Sequence, residues 1–301
     1  MTLRLAARGS ALSLAQANWV ARALAPAFAT EIVPYETTGD RLSRLDTALV
    51  GKGVFTKEID EALLESRADV GVHSLKDLPS ILPEGLVLAA VPLREDPRDV
   101  LLSRPRASFS ALPPGARVGT GSPRRKAQLL AARPDLVVVD ARGNVDTRIR
   151  RLEEGSWNAI VLARAGLARL NRLEEICDVF EPGVMLPAIG QGALALVARR
   201  GAAEVLEALS AVDHAASHRE ALAERRLLQR LDAGCRAPLA ARAVFEGARM
   251  RLSAGVFSPD GKSVLREEDE GPAGEPESLA DRVADRLIER GAAKILALAR
   301  A

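Results

Sequence analysis

The clearest candidates for chemistry lie in the segment His73-Ser74-Leu75-Lys76-Asp77, which follows the apolar residues Val70-Gly71-Val72. Lys76 could bind an anion or form a Schiff base, and Asp77 could act as an acid, a base or a stabiliser of a cation. A loop directly after a buried strand is a favourable place for such a pair, because α/β proteins bind ligands at the carboxyl ends of parallel strands. The same two residues could equally form an exposed ion pair on a turn, and this segment alone leaves both interpretations open.

A second segment is rich in arginine and also follows an apolar run. Arg142-Gly143-Asn144-Val145-Asp146-Thr147-Arg148 comes after Val137-Val138-Val139, and Asn144 can cap the helix that follows. Arg142 before the cap and Arg148 one turn into the helix could both face the end of the strand. Because arginine suits planar, bidentate capture of carboxylate or phosphate, the segment predicts part of an anion site.

The chain has two cysteines, too few for a disulfide framework. Cys235 lies in the glycine-containing segment Asp232-Ala233-Gly234-Cys235-Arg236, where a thiol can be exposed and a neighbouring arginine favours its reactive form. Cys177 lies among alternating apolar residues and is predicted to be structural. No spacing of cysteine and histidine fits a metal site, so we expect no metal.

Two connections between an aliphatic run and a helical pattern share one design. They are Arg8-Gly9-Ser10 and Thr120-Gly121-Ser122-Pro123-Arg124-Arg125. Glycine permits a sharp turn, serine can cap a helix, and the free N–H groups of a helix N-terminus attract anions. Each could be an ordinary capped turn, but two such turns with arginine beside them predict an anion-binding cleft between two similar domains.

Composition narrows the class of protein. The 301 residues allow about two or three domains, and 48% hydrophobic with 27% charged residues is typical of a globular protein. A net charge of +2 and 3% aromatic residues argue against a nucleic-acid-binding protein. We expect aliphatic cores and no nucleic-acid partner.

The elements that must position these residues follow an α/β pattern. Aliphatic runs separated by helical patterns predict crossover units with mostly parallel sheets over the first two-thirds of the chain. After Cys235 the pattern changes to three successive strands and a final helix, which predicts a separate, small α+β domain. The predicted strands are 3–7, 31–37, 68–73, 86–91, 100–103, 117–119, 136–140, 159–163, 193–198, 239–245, 249–257 and 263–268. The predicted helices are 11–24, 56–67, 123–133, 145–154, 216–231 and 276–299.

Several common motifs do not occur. No G-x-G-x-x-G follows a strand, and Gly51-Lys52-Gly53 lacks the serine or threonine of a phosphate-binding loop. Polar residues interrupt the N-terminal apolar run, which argues against a signal peptide, and the charge-free run 182–198 contains two prolines and three glycines, which argues against a membrane span. We expect a cytoplasmic protein with no membrane partner.

From the residues alone, the chain predicts an arginine-lined cleft for a multiply anionic ligand, with one acidic residue inside it and one loop thiol from a third unit. This combination suggests covalent attachment of an anionic species, which composition and spacing do not identify. Two alternatives stay open at this point. One is an anion-binding module with no chemistry at Cys235, and the other is a pyridoxal-phosphate enzyme that uses Lys76.

Eight segments in order along the chain resemble the porphobilinogen deaminase (hydroxymethylbilane synthase) family. No single segment is decisive, but the ordered set is highly specific. The segments are 7–10, 51–55, 72–77, 94–99, 118–125, 142–145, 186–193 and 233–235.

The resemblance implies an α/β fold with two periplasmic-binding-protein-like lobes, mostly parallel sheets and a small C-terminal α+β domain that carries the cysteine. Two hinge crossings would join the lobes at 94–99 and 186–193. The implied domains are a discontinuous first lobe (1–93 and 188–212), a second lobe (94–187) and a cofactor-anchoring domain (213–301).

The resemblance also implies the reaction and the residues that carry it. Four porphobilinogen molecules are joined head to tail, with loss of ammonia, on a dipyrromethane cofactor held by a thioether, and water then releases hydroxymethylbilane. Cys235 would anchor the cofactor, and Asp77 would be the catalytic carboxylate that stabilises the cations of the reaction. Further cofactor-binding residues would be Ser74, Lys76, Thr120, Ser122, Arg124, Arg125 and Gly192. Substrate-binding residues would be Arg8, Ser10, Arg142, Arg148, Arg169 and Gln191.

The remaining implications concern the lid and the partners. Lys52 and Phe55 would belong to a flexible segment over the cleft. The one partner implied is the small-molecule substrate porphobilinogen, and the enzyme would be a monomer with no obligate protein partner.

Overall fold

The computed structural model describes residues 1–44, 54–232 and 237–299. The strands within these ranges are β1 (Thr2–Arg8), β2 (Ala29–Tyr35), β3 (Val70–Ser74), β4 (Leu86–Ala90), β5 (Asp99–Ser103), β6 (Arg117–Gly119), β7 (Val137–Val139), β8 (Ala159–Ala163), β9 (Asp178–Val179), β10 (Leu194–Arg199), β11 (Leu239–Glu246), β12 (Arg249–Phe257) and β13 (Val264–Pro272). The helices are α1 (Ala11–Leu24), α2 (Thr38–Arg44), α3 (Lys57–Leu64), α4 (Pro123–Ala132), α5 (Val145–Glu153), α6 (Arg164–Arg169), α7 (Ala203–Ser210), α8 (Ala215–Arg230), α9 (Pro276–Glu289) and α10 (Ala292–Leu298), with short 3₁₀ turns at Leu75–Asp77 and Leu173–Glu175.

Two five-stranded sheets share one strand arrangement. The first has the order β2-β1-β3-β10-β4 and the second the order β7-β6-β8-β5-β9. In each, three strands pair in parallel, and one strand, β10 or β5, pairs antiparallel with both of its neighbours. Four of the five strands in each sheet therefore run in one direction, which confirms the expectation of two similar, mostly parallel α/β lobes.

The antiparallel strands mark where the chain passes between the two sheets. β10 follows the whole second sheet in sequence, yet it lies between β3 and β4 in the first sheet. The chain therefore leaves the first sheet between β4 and β5 and returns between β9 and β10. The two expected hinge crossings lie within these connections.

The first sheet is buried on both faces because its side chains alternate. Leu5 of β1 belongs to an aliphatic cluster with Val20 of α1 on one face. The next residue, Ala6, belongs to a second cluster with Ile59 and Leu63 of α3 on the other face. Burial on both faces explains why this strand is apolar throughout rather than alternating with polar residues.

The C-terminal unit is an antiparallel meander in the order β11-β12-β13, packed against α8, α9 and α10. This confirms the expected small α+β unit. The expectation of a single helix over 276–299 is wrong, because the chain forms two helices there. Gly291 between them has φ +93°, a left-handed conformation that ends the first helix and that glycine adopts without strain.

Several short elements were absent from the predicted set. They are α2, α6, α7 and β9, which have two to eight residues each. Such elements span at most about two helical turns, so they carry too little periodicity for recognition from the sequence. Among the described residues, no helix combines the length and apolar character needed to cross a membrane.

Candidate active site

Three predicted segments meet at the carboxyl ends of β1 and β3. A cavity of about 50 Å³ opens there. Its walls bring together the predicted site residues of the first lobe with polar neighbours that were not predicted. The lining residues are Arg8, Ser10, Leu12, Ser13, Gln16, Phe55, Val72, His73, Ser74 and Asp77.

Asp77 lies in this cavity because a 3₁₀ turn follows β3 directly. Leu75, the first residue of the turn, is buried, and its N–H donates to the carbonyl oxygen of Ala193 at 3.0 Å. This contact fixes the turn, so that Lys76 and Asp77 project from one rigid base. His73, one residue before the end of β3, is buried, and burial with the nearby Arg8 lowers its pKa to about 4, so the ring is neutral at pH 7.

Arg8 has partners within the protein that the sequence did not indicate. Its Nη2 donates to Asp40 Oδ1 at 2.5 Å, and its guanidinium carbon lies 4.1 Å from the centre of the Phe55 ring. A Cβ on Gly39 would lie 2.2 Å from Phe55 Cε1, so only glycine leaves room for that ring. Phe55, expected in a lid, is thus part of the cavity wall, and its role as a lid stays a prediction.

A hydrogen bond between side chains shapes the rest of this wall. Gln16 Nε2 donates to Ser74 Oγ at 2.8 Å, and the Ser10 hydroxyl caps α1 by accepting from the Ser13 N–H at 3.3 Å. Gln16 was not predicted, because an isolated glutamine inside a helix has no sequence signal. Its place one and a half turns into α1 puts it on the same side of the helix as Ser13.

The second lobe contributes a buried pair of arginines at the start of α4. Arg124 Nη1 donates to Asp99 Oδ2 at 2.8 Å, and Arg125 Nε donates to Asp99 Oδ1 at 2.9 Å. Gln191 Nε2, from the second crossing, also donates to Asp99 Oδ1 at 2.9 Å. The two arginines predicted to bind the cofactor therefore share an internal carboxylate that was not assigned from the sequence.

The two positive charges of Arg124 and Arg125 exceed the single negative charge of Asp99, which they share. Burial by itself would raise the pKa of Asp99. The positive charges of the two guanidinium groups have the larger effect and lower that pKa to about 2. Burial lowers the pKa of Lys76 to about 8, with Arg125 and Arg124 adding to the effect and Asp77 and Asp99 opposing it. Two carboxylates, those of Asp99 and Asp77, thus face two guanidinium groups and a lysine, and the remaining positive charge favours an anionic ligand.

Two polar side chains hold the loop before these arginines. Thr120 Oγ1 accepts from the Ser122 N–H at 3.2 Å, and Ser122 Oγ accepts from the Arg125 N–H at 3.4 Å as the cap of α4. The predicted capped turn is confirmed at this position. The turn therefore carries two hydroxyl groups directly before the helix that bears the buried arginines.

Arg148 and Arg142 have different surroundings. Arg148 Nε donates to the carbonyl oxygen of Gly143 at 2.8 Å, and burial together with the charge of Arg125 lowers its pKa to about 10. Arg142 Nε instead donates to Asp140 Oδ2 at 2.7 Å. The structure therefore brings Arg148 to the cationic cluster and pairs Arg142 with an acidic neighbour.

Arg169 lies at the second crossing. Its Nη2 donates to the carbonyl oxygen of Gly192 at 2.7 Å, and burial lowers its pKa to about 10. Gly192 has φ +87°, and a Cβ there would lie 2.3 Å from the carbonyl oxygen of Glu95, so this close approach of the two crossings requires glycine. Arg169 lines a separate cavity of about 340 Å³ that also includes Trp19, rather than the cavity of Asp77.

The remaining predicted residues are Cys235, Lys52 and Cys177. Cys235 and Lys52 lie outside the described residues, so their predicted roles stay predictions. Cys177 is half-buried, and its Sγ accepts from the Ser103 N–H at 3.4 Å within the second lobe. In ranges 1–44, 54–232 and 237–299, no group of three or more His, Cys, Asp or Glu side chains is placed to hold a metal ion.

Fold and site together define a two-lobed α/β protein with a cationic cleft and a small third unit. The family model described as porphobilinogen deaminase, dipyromethane cofactor binding domain, matches residues 3–207, and the model of the porphobilinogen deaminase C-terminal domain matches residues 218–289. The chain is 49% identical to the porphobilinogen deaminase of Desulforudis audaxviator over 298 residues, which covers 98% of this chain and 96% of that protein. It is 50% identical to the porphobilinogen deaminase of Rubrobacter xylanophilus over 304 residues, which covers 99% and 97%.

The chain belongs to the porphobilinogen deaminase family. The expected transferase activity of a hydroxymethylbilane synthase and the expected dipyrromethane cofactor are confirmed by these matches. The fold is also similar to that of the VFT2 domain of Bordetella pertussis BvgS, with 16% identity, a TM-score of 0.43 and coverage of 70% of this chain and 86% of that one.

The described residues fit a cofactor that carries several carboxylates. Arg124 Nε is buried and has no hydrogen-bond partner among the described residues. A buried donor without a partner costs about 1–3 kcal/mol, so a ligand carboxylate in this place would remove that cost. Together with the excess of positive charge, this donor makes the cluster a suitable site for the acidic side chains of a dipyrromethane.

Proposed function

We propose that this chain condenses four porphobilinogen molecules head to tail on a dipyrromethane linked to Cys235, and that water then releases hydroxymethylbilane. The bound dipyrromethane supplies the pyrrole carbon to which the first substrate is joined. The observation that supports the proposal most directly is the cationic cluster of Lys76, Arg124 and Arg125, whose three positive charges exceed the two negative charges of the neighbouring Asp99 and Asp77 carboxylates.

The cluster of the second lobe binds the carboxylates of the cofactor. Each pyrrole of this class carries two carboxylates, so negative charge accumulates as the chain grows. Anions buried without a partner cost several kcal/mol each, and arginine forks offset this cost by bidentate pairing. We assign this role to Lys76, Arg124 and Arg125, supported by the hydroxyl groups of Ser74, Thr120 and Ser122.

The cavity of the first lobe binds the incoming substrate. Arg8 and Ser10 lie in its wall, and Arg8 has N–H groups beyond those that donate to Asp40.

Gln191 Oε1, outside this cavity, is buried and has no hydrogen-bond partner among the described residues, so it can accept from a substrate N–H. Arg148 and Arg169, each without a carboxylate among its hydrogen-bond partners given above, are suited to further substrate carboxylates.

Asp77 stabilises the cations of the reaction. Loss of ammonia from porphobilinogen would leave a positively charged substrate, and joining it to a pyrrole ring would give a second positive charge until that ring loses its proton to solvent. An ionised carboxylate held by the rigid turn after β3 lowers the energy of both, since it does not have to reorganise during the reaction. Proton transfer by this group is secondary in the proposal.

The proposed domains correspond to these roles, with substrate binding in the first lobe and cofactor binding in the second. We propose a discontinuous first lobe of residues 1–93 and 188–212, a second lobe of 94–187 and a third unit of 213–301 that brings Cys235 to the cleft. The cytoplasmic location, the monomeric state and the lid role of Lys52 and Phe55 stay predictions.

Mass spectrometry of the intact purified protein tests the proposal. We expect a mass excess of two linked pyrrole units, and we expect Cys235→Ser to lose it. Cys177→Ser is the matched control and should keep the excess. An unmodified mass in active protein, or an excess that survives Cys235→Ser, would contradict the proposal, and a borohydride-trapped adduct at Lys76 would support a Schiff-base enzyme instead.

A further inference from the structure

Asp99 lies at the centre of the cationic cluster, and neither the reaction nor the resemblance assigns it a role. It is the first residue of β5, and its side chain is fully buried. Side chains from two distant parts of the chain converge on it, since Arg124 and Arg125 belong to α4 and Gln191 belongs to the second crossing. A carboxylate with these partners controls how they are arranged.

Asp99 determines which edges of the two arginines are free. Asp99 and the carbonyl oxygen of Leu186 use Nη1 of Arg124, at 2.8 and 2.6 Å. Asp99 Oδ1 also lies 2.9 Å from Nε and 2.8 Å from Nη2 of Arg125. The third nitrogen of that guanidinium, Nη1, donates to the carbonyl oxygen of Val161. Because a guanidinium has five N–H groups in a fixed plane, fixing one edge fixes the direction of the others.

The same carboxylate joins the arginines to both crossings. Asp99 ends the first crossing, and Gln191 of the second crossing donates through Nε2 both to Asp99 Oδ1 at 2.9 Å and to the carbonyl oxygen of Pro97 at 2.7 Å. The crossings and the start of α4 thus form one hydrogen-bonded unit. Asp99 is therefore one of two links between the crossings and the arginines, the other being the hydrogen bond from Arg124 to the Leu186 carbonyl oxygen.

We infer that Asp99 is a positioning residue: it is the internal counter-ion that orients Arg124 and Arg125 toward the cofactor carboxylates and holds that orientation to the hinge. Its side chain is fully buried, so it acts through the two arginines. Its negative charge lets two cations stay buried, but it leaves the cluster with a net positive charge for the ligand. The inference rests on the proposed function, because it concerns how the cofactor is held.

Asp99→Ala tests this inference by two readouts, the fraction of molecules that carry the cofactor mass in intact-mass spectrometry, which should fall, and the turnover of the molecules that are loaded. We expect kcat to fall roughly ten- to a hundredfold, because misplacement of a reacting group by about 1 Å costs rate of this order. We expect KM for porphobilinogen to stay the same or fall, because the variant site is more positive. Loss of stability without a positioning role would lower the amount of folded enzyme and leave kcat per loaded molecule unchanged.

Chemical rescue separates positioning from general damage. The alanine leaves a space between the two guanidinium groups that formate can fill, so formate should restore kcat in a saturable manner, whereas neutral formamide should not. Asp96→Ala is the matched control, because Asp96 lies on the same crossing but pairs with Arg98 at 2.7 Å. Its activity should not respond to formate.

An isosteric variant covers the case in which the alanine variant does not fold. Asp99→Asn keeps the volume and removes the charge, so it should show the same fall in kcat and no rescue. An unchanged kcat in either variant, a fall in Asp99→Ala that formate does not restore, or failure of both variants to fold would overturn the inference. A parent enzyme without the cofactor mass would instead contradict the proposed function, so the two failures are distinguishable.

Discussion

Replacing Glu224 by alanine is expected to lower the free energy of unfolding by about 3–5 kcal/mol, the cost of breaking a buried ion pair. Glu224 lies in α8 and is fully buried. Its carboxylate accepts from Arg94 Nη1 at 2.7 Å and from the backbone N–H groups of Gly190 at 2.6 Å and Ala243 at 2.8 Å. One side chain of the third unit therefore binds the first crossing, the second crossing and β11.

The magnitude follows from what the substitution leaves behind. The Arg94 side chain is only 7% exposed, and its nearest remaining carboxylate, that of Glu220, lies 3.5 Å away. Two backbone N–H groups also lose their acceptor, and each buried donor without a partner costs about 1–3 kcal/mol. These contributions overlap, so we take the cost of the broken pair as the total. It is a large part of the roughly 5–15 kcal/mol that stabilises a typical protein.

Denaturant unfolding measures this prediction, with two further variants as controls. Glu220→Ala removes a longer ion pair with the same arginine and the acceptor of one backbone N–H, that of Phe245 at 3.1 Å, and should cost about 1–2 kcal/mol. Glu224→Gln keeps the shape and one acceptor oxygen and should fall between the two. Equal losses in Glu224→Ala and Glu220→Ala, or a loss below about 1 kcal/mol in Glu224→Ala, would refute the view that this carboxylate holds the crossings to the third unit.

Three further predictions concern the site. Raising the pH from 7 to 9 lowers the protonated fraction of Lys76 roughly tenfold, because burial lowers its pKa to about 8; loading of the cofactor should fall with it, and Lys76→Arg should remove this pH dependence. Asp77→Asn should lose chain elongation far more than cofactor retention, as followed by intact mass, and equal losses would argue against cation stabilisation. Gly39→Ala should raise KM several-fold because its Cβ displaces the Phe55 ring, whereas Gly183→Ala, which has open space, should not.

Local signals predicted the elements that carry the site. The serine before α4, the proline at its first position and the asparagine before α5 predicted helix starts, and the structure shows both caps. Apolar runs predicted the strands, and polar residues directly after them predicted the cavity at the strand ends. These predictions succeed because capping and strand burial depend on residues within one or two turns of each other.

Partners of the functional side chains could not be predicted in this way. Asp40, Asp99 and Gln16 each complete the surroundings of a predicted residue, yet each is distant from that residue in sequence or has no local pattern. Asp99 and Gln191 are 92 positions apart, and Arg94 and Glu224 are 130 positions apart. Nothing in the local sequence of either member indicates the other.

The sequence by itself determined which residues could bind anions, where the capped turns lie, and, through the ordered set of motifs, the family of the chain. Tertiary structure alone decided which of the cations already have an internal carboxylate and which remain for a ligand. It also decided that β10 lies within the first sheet, between β3 and β4. The physical reason is that capping and strand formation are short-range, whereas the pairing of buried charges depends on contacts that form only when distant segments pack together.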